Sequence, residues 1–234
     1  MKAAAIMQPT YLPWLGYFGL MDSVDVFVLL DSVQFARRSW QQRNQIKTAQ
    51  GATWLTVPVL SKGAREQSIS DVLIDKCRDF SAAHIRSIEL SYCKAPYFAD
   101  YAAGLFGILR GGHDRLASLT VELITWLRDQ LCIKTPLLRA SEINVGGRKA
   151  DLLAAICQHA GADHYVSPPG SREYMEESTV FADEGIAVTY HAYLHPNYPQ
   201  QHGDFLPYMS TIDLLFNSGP ESLTIIRRGR EEQS

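Results

Sequence analysis

Apolar residues in the first sixty positions of the chain form short continuous runs separated by polar loops. Residues 3–7 predict a buried strand, residues 14–21 an apolar helix and residues 24–30 a second strand. Two short apolar strands joined by one helix indicate a βαβ crossover, so the sheet is predicted to be parallel at this point. Residues 53–59 predict a further strand, which follows a polar segment and Gly51.

A change to helical periodicity marks the middle of the chain. From residue 80 to about residue 130, apolar positions recur at spacings of three and four, as at Leu116, Leu119 and Leu123. The pair Gly111-Gly112 predicts a break between two helices. This segment therefore predicts a bundle of helices rather than more sheet.

Alternating strands and helices resume after Pro136. Strands are predicted at 137–140, 164–166 and 186–190, and helices at 149–160 and from residue 209, with a frayed tail from residue 227 to 234. We predict an α/β fold with a Rossmann-like, mainly parallel sheet. Its core domain would comprise residues 1–74 and 136–234, and residues 75–135 would form an all-helical insertion lobe.

Composition narrows the classes of protein that remain. The 234 residues are 46% hydrophobic and carry a formal net charge of −3, which argues against a duplex-binding protein and a nucleic-acid partner. No run approaches the roughly 20 apolar residues of a membrane span, and Gln8-Pro9 cuts the N-terminal apolar run too short for a secretion signal. The four cysteines form no CxxC pair and are expected to be buried free thiols. The sequence thus predicts a cytoplasmic protein.

The first candidate site lies directly after the first strand. Gln8, Thr10 and Tyr11 occupy a loop that precedes a helix, and ligands of open α/β sheets bind at the carboxyl ends of the strands. Gly16 would allow a neighbour or a ligand to approach the backbone closely. A buried loop locked by its two prolines is the structural alternative.

A second candidate begins where the second strand ends. Asp31 could orient an amine or a metal-bound phosphate, or could instead cap a turn. The polar stretch that follows could bind the anionic part of a substrate through arginine and amide groups, or could be a solvated basic loop. Its candidate residues are Gln34, Arg38, Trp40, Arg43 and Asn44.

Three later segments complete the candidate set. Arg148 and Lys149 follow two glycines and open a helix, an arrangement that suits phosphate, although the P-loop spacing is absent. Ser167 begins a proline-rich segment, residues 167–174, that could close the same crevice or form an ordinary turn. His195 is the candidate proton carrier. The alternative is a metal site formed by His191, His195, His202 and Asp204.

In their order along the chain, these blocks resemble the WbqC-like family of bacterial proteins. The resemblance is carried by IMQPTYLPWLGYF, DVFVLLDSVQFARRSWQQRNQIK, WLTVPV, YVSPPGSREYM and HPNYPQQHGDFLPYMSTIDLLFNSGP. It implies a role in surface-polysaccharide or related biosynthesis, attaching an amino-acid-type acyl group to a sugar amine. The first block is also similar to the QP…GH loop of nucleotidyltransferases and class I synthetases, but Leu15-Gly16-Tyr17 stands where its Gly-His would fall.

These observations lead to one leading functional hypothesis and two alternatives. The leading hypothesis is a transferase or amide-forming ligase that uses an activated acyl group or a nucleotide to modify an amino sugar or similar small amine. Its partner would be a small-molecule substrate such as a nucleotide-linked amino sugar. The alternatives are a non-catalytic nucleotide-sugar binding or scaffold protein and a metal-dependent hydrolase. The sequence fixes neither a cofactor, with ATP and Mg²⁺ both candidates, nor an oligomeric state.

Overall fold

A five-stranded parallel sheet forms the centre of the described part of the protein. The structure is a computed structural model and describes residues 1–60, 66–168, 170 and 178–231. The strands of this sheet are β1 (Ala3–Met7), β2 (Val26–Leu29), β7 (Leu137–Arg139), β8 (His164–Ser167) and β9 (Ala187–Tyr190). Their order across the sheet is β7-β2-β1-β8-β9, and all neighbouring pairs are parallel.

This strand order places a topological switch point at the middle of the sheet. Counted along the chain, the sheet strands run 3-2-1-4-5, the order of the Rossmann fold, and the direction of winding reverses between β1 and β8. Helix α1 (Leu15–Met21) connects β1 to β2, which pair in parallel. The predicted βαβ unit and the α/β Rossmann-like fold are therefore confirmed.

Strands β1 and β2 are buried on both faces because their apolar runs supply side chains to two cores. Ala4 and Ile6 of β1 pack in a core with α5 (Ala150–His159) and α6 (Val180–Asp183). Ala5, between them, points to the opposite and larger core, which contains α1. Such alternation across a strand is what gives helices on both sides of the sheet.

The larger core also contains the helices of the middle segment. These are α2 (Phe80–Tyr92), α3 (Phe98–Leu109) and α4 (Leu116–Gln130), which confirm the predicted helical periodicity and the break at Gly111-Gly112. Two C-terminal helices, α7 (Thr211–Ser218) and α8 (Ser222–Glu231), pack in the same core. The division into a core domain and an insertion lobe stays a prediction.

Two small antiparallel pairs lie outside the main sheet. Strands β3 (Arg43–Thr48) and β4 (Gly51–Thr56) form a hairpin, and β5 (Val59–Leu60) pairs with β6 (Leu73–Ile74). The prediction of a strand at 53–59 was too late in the chain, and β3 lay within the segment assigned to a polar loop. Gly51, with φ of 101°, permits the hairpin turn.

Burial of polar side chains explains why β3 was missed. Lys47 is only 1% exposed, and its Nζ donates hydrogen bonds to the carbonyl oxygens of Gly203 and Asp204. Asn44 is equally buried. Polar groups can lie in a core when their hydrogen bonds are made there, so polarity alone did not distinguish this strand from a loop.

The predicted tail and cysteine burial also need correction. Helix α8 continues to Glu231, and Arg227 and Arg230 pair with Asp22, so residues 227–231 are not frayed; residues 232–234 lie outside the described part. Of the cysteines only Cys157 is buried, while the other three are exposed. No helix of the described residues combines the length and the apolar character needed to cross a bilayer.

Candidate functional site

A cavity of about 350 Å³ opens at the switch point, where β1 and β8 end. We call it the switch-point cavity. Neutral side chains line it: Ile6, Met7, Gln8, Thr10, Leu30, Ala36, Ser39, Trp40, Gln41, Leu153, Tyr165, Pro168 and Gly170. Its position agrees with the general rule for ligand sites in open α/β sheets.

A second cavity, of about 280 Å³, adjoins the first. We call it the aromatic cavity, because four of its wall residues carry aromatic rings. It is lined by Met7, Thr10, Trp14, Tyr17, Trp40, Asn44 and Tyr208. Met7, Thr10 and Trp40 line both cavities and therefore form the partition between them.

The loop after β1 and the polar segment before β3 are joined directly. The Tyr11 backbone N–H donates to the Trp40 carbonyl oxygen at 2.9 Å. Gln41 Nε2 donates to Gln8 Oε1 at 2.7 Å, and Asn44 Nδ2 donates to the Leu12 carbonyl oxygen. The structure thus brings four of the predicted residues to one pair of cavities: Gln8, Thr10, Trp40 and Asn44.

Amide side chains hold Trp40 in a rigid turn. Gln41 Oε1 accepts the backbone N–H of Ala36, and Gln42 Oε1 accepts that of Arg38. Arg38 has φ of 58°, a left-handed conformation that costs on the order of 1 kcal/mol outside glycine. Because the amides are used within the turn, they fix the shape of the cavity wall.

Trp14 can line the aromatic cavity because Gly16, the second residue of α1, has no side chain to exclude its ring. The indole ring lies against Gly16, where an added Cβ would be 2.2 Å from its nearest ring carbon. Trp14 also contacts the rings of Tyr193 and Tyr208. Gly16 therefore has the role of close approach that the sequence suggested, and the neighbour is Trp14.

Tyr208 completes the aromatic cavity from a distant part of the chain. It is 54% exposed and has φ of 62°. The segment is held near the first loop because Ser210 N–H donates to the Gln45 carbonyl oxygen and Thr211 N–H to that of Pro13. Strained residues that line a cavity are frequently functional, so Tyr208 joins the candidate set.

Asp31 is engaged in a buried ion pair rather than free in a cavity. Its carboxylate is fully buried and accepts hydrogen bonds from Arg139 Nε at 2.9 Å and Nη2 at 2.7 Å. The backbone N–H and Oγ of Ser141 also donate to it. With these partners, Asp31 ties β2 to the end of β7 and lines neither cavity. Its predicted contact with an amine or a metal-bound phosphate stays a prediction.

His195 lies behind the aromatic cavity. Its ring contacts Trp14 and Tyr208, and its Nδ1 is 3.0 Å from the Pro196 carbonyl oxygen, while Nε2 is buried without a partner. Burial lowers the pKa of His195, so the ring is uncharged at neutral pH. Because His195 lines neither cavity, the predicted proton transfer to substrate has no direct path in this arrangement.

The remaining predicted residues line neither cavity. Arg43 lies over the Trp54 ring, with its guanidinium carbon 4.2 Å from the ring centroid. Gln34 forms a β-bridge with Ser68, and Ser167 is buried beneath the cavity floor residue Pro168. Arg148 and Lys149 are exposed before α5, one turn from the cavity residue Leu153. Residue 169 and residues 171–174 of the proline-rich segment lie outside the described residues.

No side chain that is charged or titrates near neutrality lines either cavity within the described part of the chain. Among those same residues, no three His, Cys, Asp or Glu side chains lie close enough to hold a metal ion. His202 Nε2 is instead 2.7 Å from the Ser91 carbonyl oxygen. The arrangement is suited to binding a ligand that is polar, uncharged and able to stack on aromatic rings.

Sequence reasoning missed Trp14, Tyr17, Tyr165 and Tyr208 as wall residues. Trp14 and Tyr17 were assigned to a packing helix, which is correct for α1 but incomplete, since both also face the aromatic cavity. No local pattern distinguishes Tyr208 from any other loop tyrosine. Hydrogen bonds at residues 210 and 211 and ring contacts with Trp14 hold it at the site.

Tyr11 lies outside both cavities and connects the loop after β1 to α2 through a hydrogen bond. It is fully buried, and a hydrogen bond of 2.8 Å joins its hydroxyl to His84 Nδ1. Burial lowers the pKa of His84 from 6.5 to about 4, partly offset by a hydrogen bond to the Thr56 backbone. Tyr11 therefore supports the loop instead of contacting a ligand.

A test by pH follows from the His84 environment. The unfolded state binds a proton near pH 6.5, whereas the folded state binds it only near pH 4. The free energy of unfolding should therefore fall as the pH drops through this window, by at most about 1.4 kcal/mol per pH unit. Urea denaturation should show a shallower loss for His84→Gln than for wild type. His159→Gln, at an exposed position, should follow wild type; equal slopes in all three proteins would contradict the expected result.

Comparisons with known proteins place the chain in one family. The model of the WbqC-like protein family matches residues 8–225. The chain is 40% identical to the Mycobacterium tuberculosis protein described as uncharacterized protein Rv1507c, in an alignment covering 99% of this chain and 100% of the relative. No solved structure gave a significant match. The residues matched by the family model include both cavity-forming loops, and the chain belongs to the WbqC-like protein family.

Proposed function

We propose that the protein is a transferase that attaches an activated acyl group to an amino sugar or a comparable small amine. The observation that carries this proposal is the pair of adjoining, uncharged cavities that share Met7, Thr10 and Trp40 at the switch point. One cavity would hold the sugar and the other the activated donor. Their reacting groups would then meet at the shared partition.

The aromatic cavity matches the two-sided character of a sugar ring. A pyranose ring has apolar C–H faces, which pack on the rings of Trp14, Trp40 and Tyr208, and a rim of hydroxyl groups. Thr10 Oγ1 has no hydrogen-bond partner among the described residues, and Gln8 Nε2 is likewise unused. Thr10 can make a directional hydrogen bond at the partition and Gln8 another in the switch-point cavity, and a purely apolar ligand would leave both groups unsatisfied.

The absence of charged walls in the described part of the cavities also favours an amine as the nucleophile. Desolvation disfavours the protonated form of an amine, and no wall carboxylate described here would restore it. The neutral amine nitrogen would attack the acyl carbon and form the N–C bond, while the bond to the leaving group breaks. The leaving group takes the bonding electron pair, and the amine proton passes to the leaving group or to solvent.

Positioning would provide most of the rate enhancement in such a site. Holding two reactants in alignment can supply about 7–11 kcal/mol of the barrier without an acid or base from the protein. The hydrogen bonds that fix Gln8, Trp40 and the 36–42 turn make the partition rigid enough for this role. An already activated donor is needed, because the described walls provide no group to activate it.

Removal of the Trp40 ring tests this assignment. In Trp40→Ala, the affinity for a nucleotide-linked amino sugar should fall about 10- to 100-fold, because a central aromatic contact typically contributes about 1–3 kcal/mol. Thr10→Val should weaken binding less, by loss of one hydrogen bond. Calorimetric titration measures both variants, and Leu90→Ala, an exposed position on α2, is the control.

Turnover is tested separately from binding. The protein is incubated with UDP-linked amino sugars together with an already activated donor, either acyl-coenzyme A or a synthetic aminoacyl thioester, and products are identified by their added mass. An N-acylated sugar that is lost in Trp40→Ala supports the transferase. Unchanged binding in both Trp40→Ala and Thr10→Val would reject the cavities as the substrate site.

A non-catalytic nucleotide-sugar binding protein is the second candidate. It is favoured by the same lack of a titratable acid or base in the described cavity walls. Binding that depends on Trp40, with no product from any donor class during prolonged incubation, would select it over the transferase.

A further inference from the structure

An aromatic and cationic surface lies immediately outside the two cavities. We call it the Trp54 platform; it consists of Trp40, Trp54 and Arg43, which contact one another in sequence, and of the exposed Arg37 and Arg38 in the turn that carries Trp40. Trp40 and Trp54 are 47% and 41% exposed, and their rings are 5.2 Å apart. Large aromatic side chains are seldom left this exposed side by side unless they bind something.

The three arginines of the platform have no acidic partner among the described residues. No hydrogen bond or ion pair joins the side chains of Arg37, Arg38 or Arg43 to the described residues. The Arg43 guanidinium is held against Trp54, and its Nε is buried without an acceptor. Arginine held by stacking on an aromatic ring is well suited to bind phosphate oxygens with its remaining N–H groups.

The glycine-rich loop that usually binds phosphate in a Rossmann fold is missing after β1. The segment from Gln8 to Trp14 has two prolines and no glycine-rich fingerprint, and the Trp14 indole packs on Gly16. The described cavity walls are uncharged. An anionic group attached to a ligand in these cavities would therefore have to lie at their rim.

We infer that the Trp54 platform binds a nucleoside diphosphate, with the base on the exposed indole surfaces and the phosphates on the arginines. This inference rests on the proposed function, since the sugar attached to that diphosphate would extend past Trp40 into the aromatic cavity. Trp40 is the physical connection, because it belongs to the platform and to both cavity walls. Base stacking on an aromatic side chain and arginine–phosphate pairing together explain why these residue types occur side by side.

Arg148 and Lys149 provide the matched alternative within the same chain. They are also exposed cations near the switch-point cavity, at the start of α5. The segment that carries them, residues 146–149, contains no aromatic residue to hold a base. The two cationic groups can therefore be compared directly by substitution.

The test measures binding of UDP, ADP and GDP, without sugar or donor, by calorimetry. In Trp54→Ala and in the double variant Arg37→Ala/Arg38→Ala, the dissociation constant of the preferred nucleotide should rise about tenfold or more. Trp54→Phe should recover most of the affinity, because it restores an aromatic face. Arg148→Ala/Lys149→Ala should bind like wild type, and added salt should weaken wild-type binding. The melting temperature of each variant verifies that the fold is retained.

Three results would overturn the inference: no nucleoside diphosphate binds, Trp54→Ala binds as tightly as wild type, or only Arg148→Ala/Lys149→Ala loses affinity. The two proposals fail separately. Trp54-dependent nucleotide binding without any role for Thr10 or product formation rejects the transferase alone. Trp40-dependent acylation of an amino sugar, with nucleotide binding unaffected by Trp54→Ala, rejects the platform alone.

Discussion

Replacing Asp31 with alanine is expected to lower the free energy of unfolding by about 3–5 kcal/mol. The carboxylate is fully buried and accepts four hydrogen bonds, two from Arg139 and two from Ser141. Without it, the Arg139 side chain, which is only 29% exposed, keeps only the exposed Glu142 as a counter-ion. The Ser141 N–H loses its acceptor, and the link between β2 and the end of β7 is broken.

Urea denaturation followed by circular dichroism measures this loss. Asp31→Asn should be less damaging, because an amide oxygen can still accept one or two of the hydrogen bonds. Asp114→Ala is the matched control, since it removes a carboxylate whose ion pair with Lys76 is exposed, and it should leave the midpoint almost unchanged. An Asp31→Ala protein with wild-type stability but no ligand binding would show that Asp31 faces a ligand after all.

The fold was predictable where local patterns determine local structure. Residues 3–7 and 26–30 are continuously apolar, and they contain the adjacent parallel strands β1 and β2. The spacing of Leu116, Leu119 and Leu123 specifies one face of α4, and all three are buried. In such cases the hydrophobic period contains the information that decides the structure.

Strand β3 was missed because the groups that pair with its buried polar side chains are distant in the sequence. Its Lys47 is buried because carbonyl groups of residues 203 and 204 accept its hydrogen bonds, and its Asn44 because Leu12 does so. No window around residues 43–48 contains these partners. Burial of polar side chains is a property of the tertiary structure, so a sequence pattern cannot assign it.

The candidate site, too, was predictable where strand ends decide the position of a residue and unpredictable where a distant partner does. Gln8 and Thr10 were correctly expected to be polar groups at the end of β1, because strand ends in a parallel sheet point to one edge. Asp31 also lies at a strand end, but its Arg139 partner is 108 positions later and could not be identified from residue type. Asp31 and Arg139 thus stabilise the sheet, and the other charged candidates lie outside the described cavity walls. Aromatic residues form much of those walls instead.

Substitution of Gly16 by alanine is the second large effect that we expect. The Cβ of alanine would lie 2.2 Å from a carbon of the Trp14 indole ring, well inside van der Waals contact. Alanine favours a helix over glycine by about 1 kcal/mol, but overpacking of this kind typically costs about 1–3 kcal/mol. The clash should win, and Trp14 should be displaced from the wall of the aromatic cavity.

Two measurements separate this effect from a general loss of stability. Gly16→Ala should lose most of the affinity for an amino sugar that depends on Trp14, and its melting temperature should fall by several degrees. Gly107→Ala is the matched control, because Gly107 lies in α3, and an added Cβ there meets nothing within 4 Å. That variant should be as stable as wild type or slightly more so, and should bind normally. A Gly16→Ala protein that binds the sugar with wild-type affinity would mean that Trp14 can leave the wall without consequence, so that Trp40 and Tyr208 alone determine recognition.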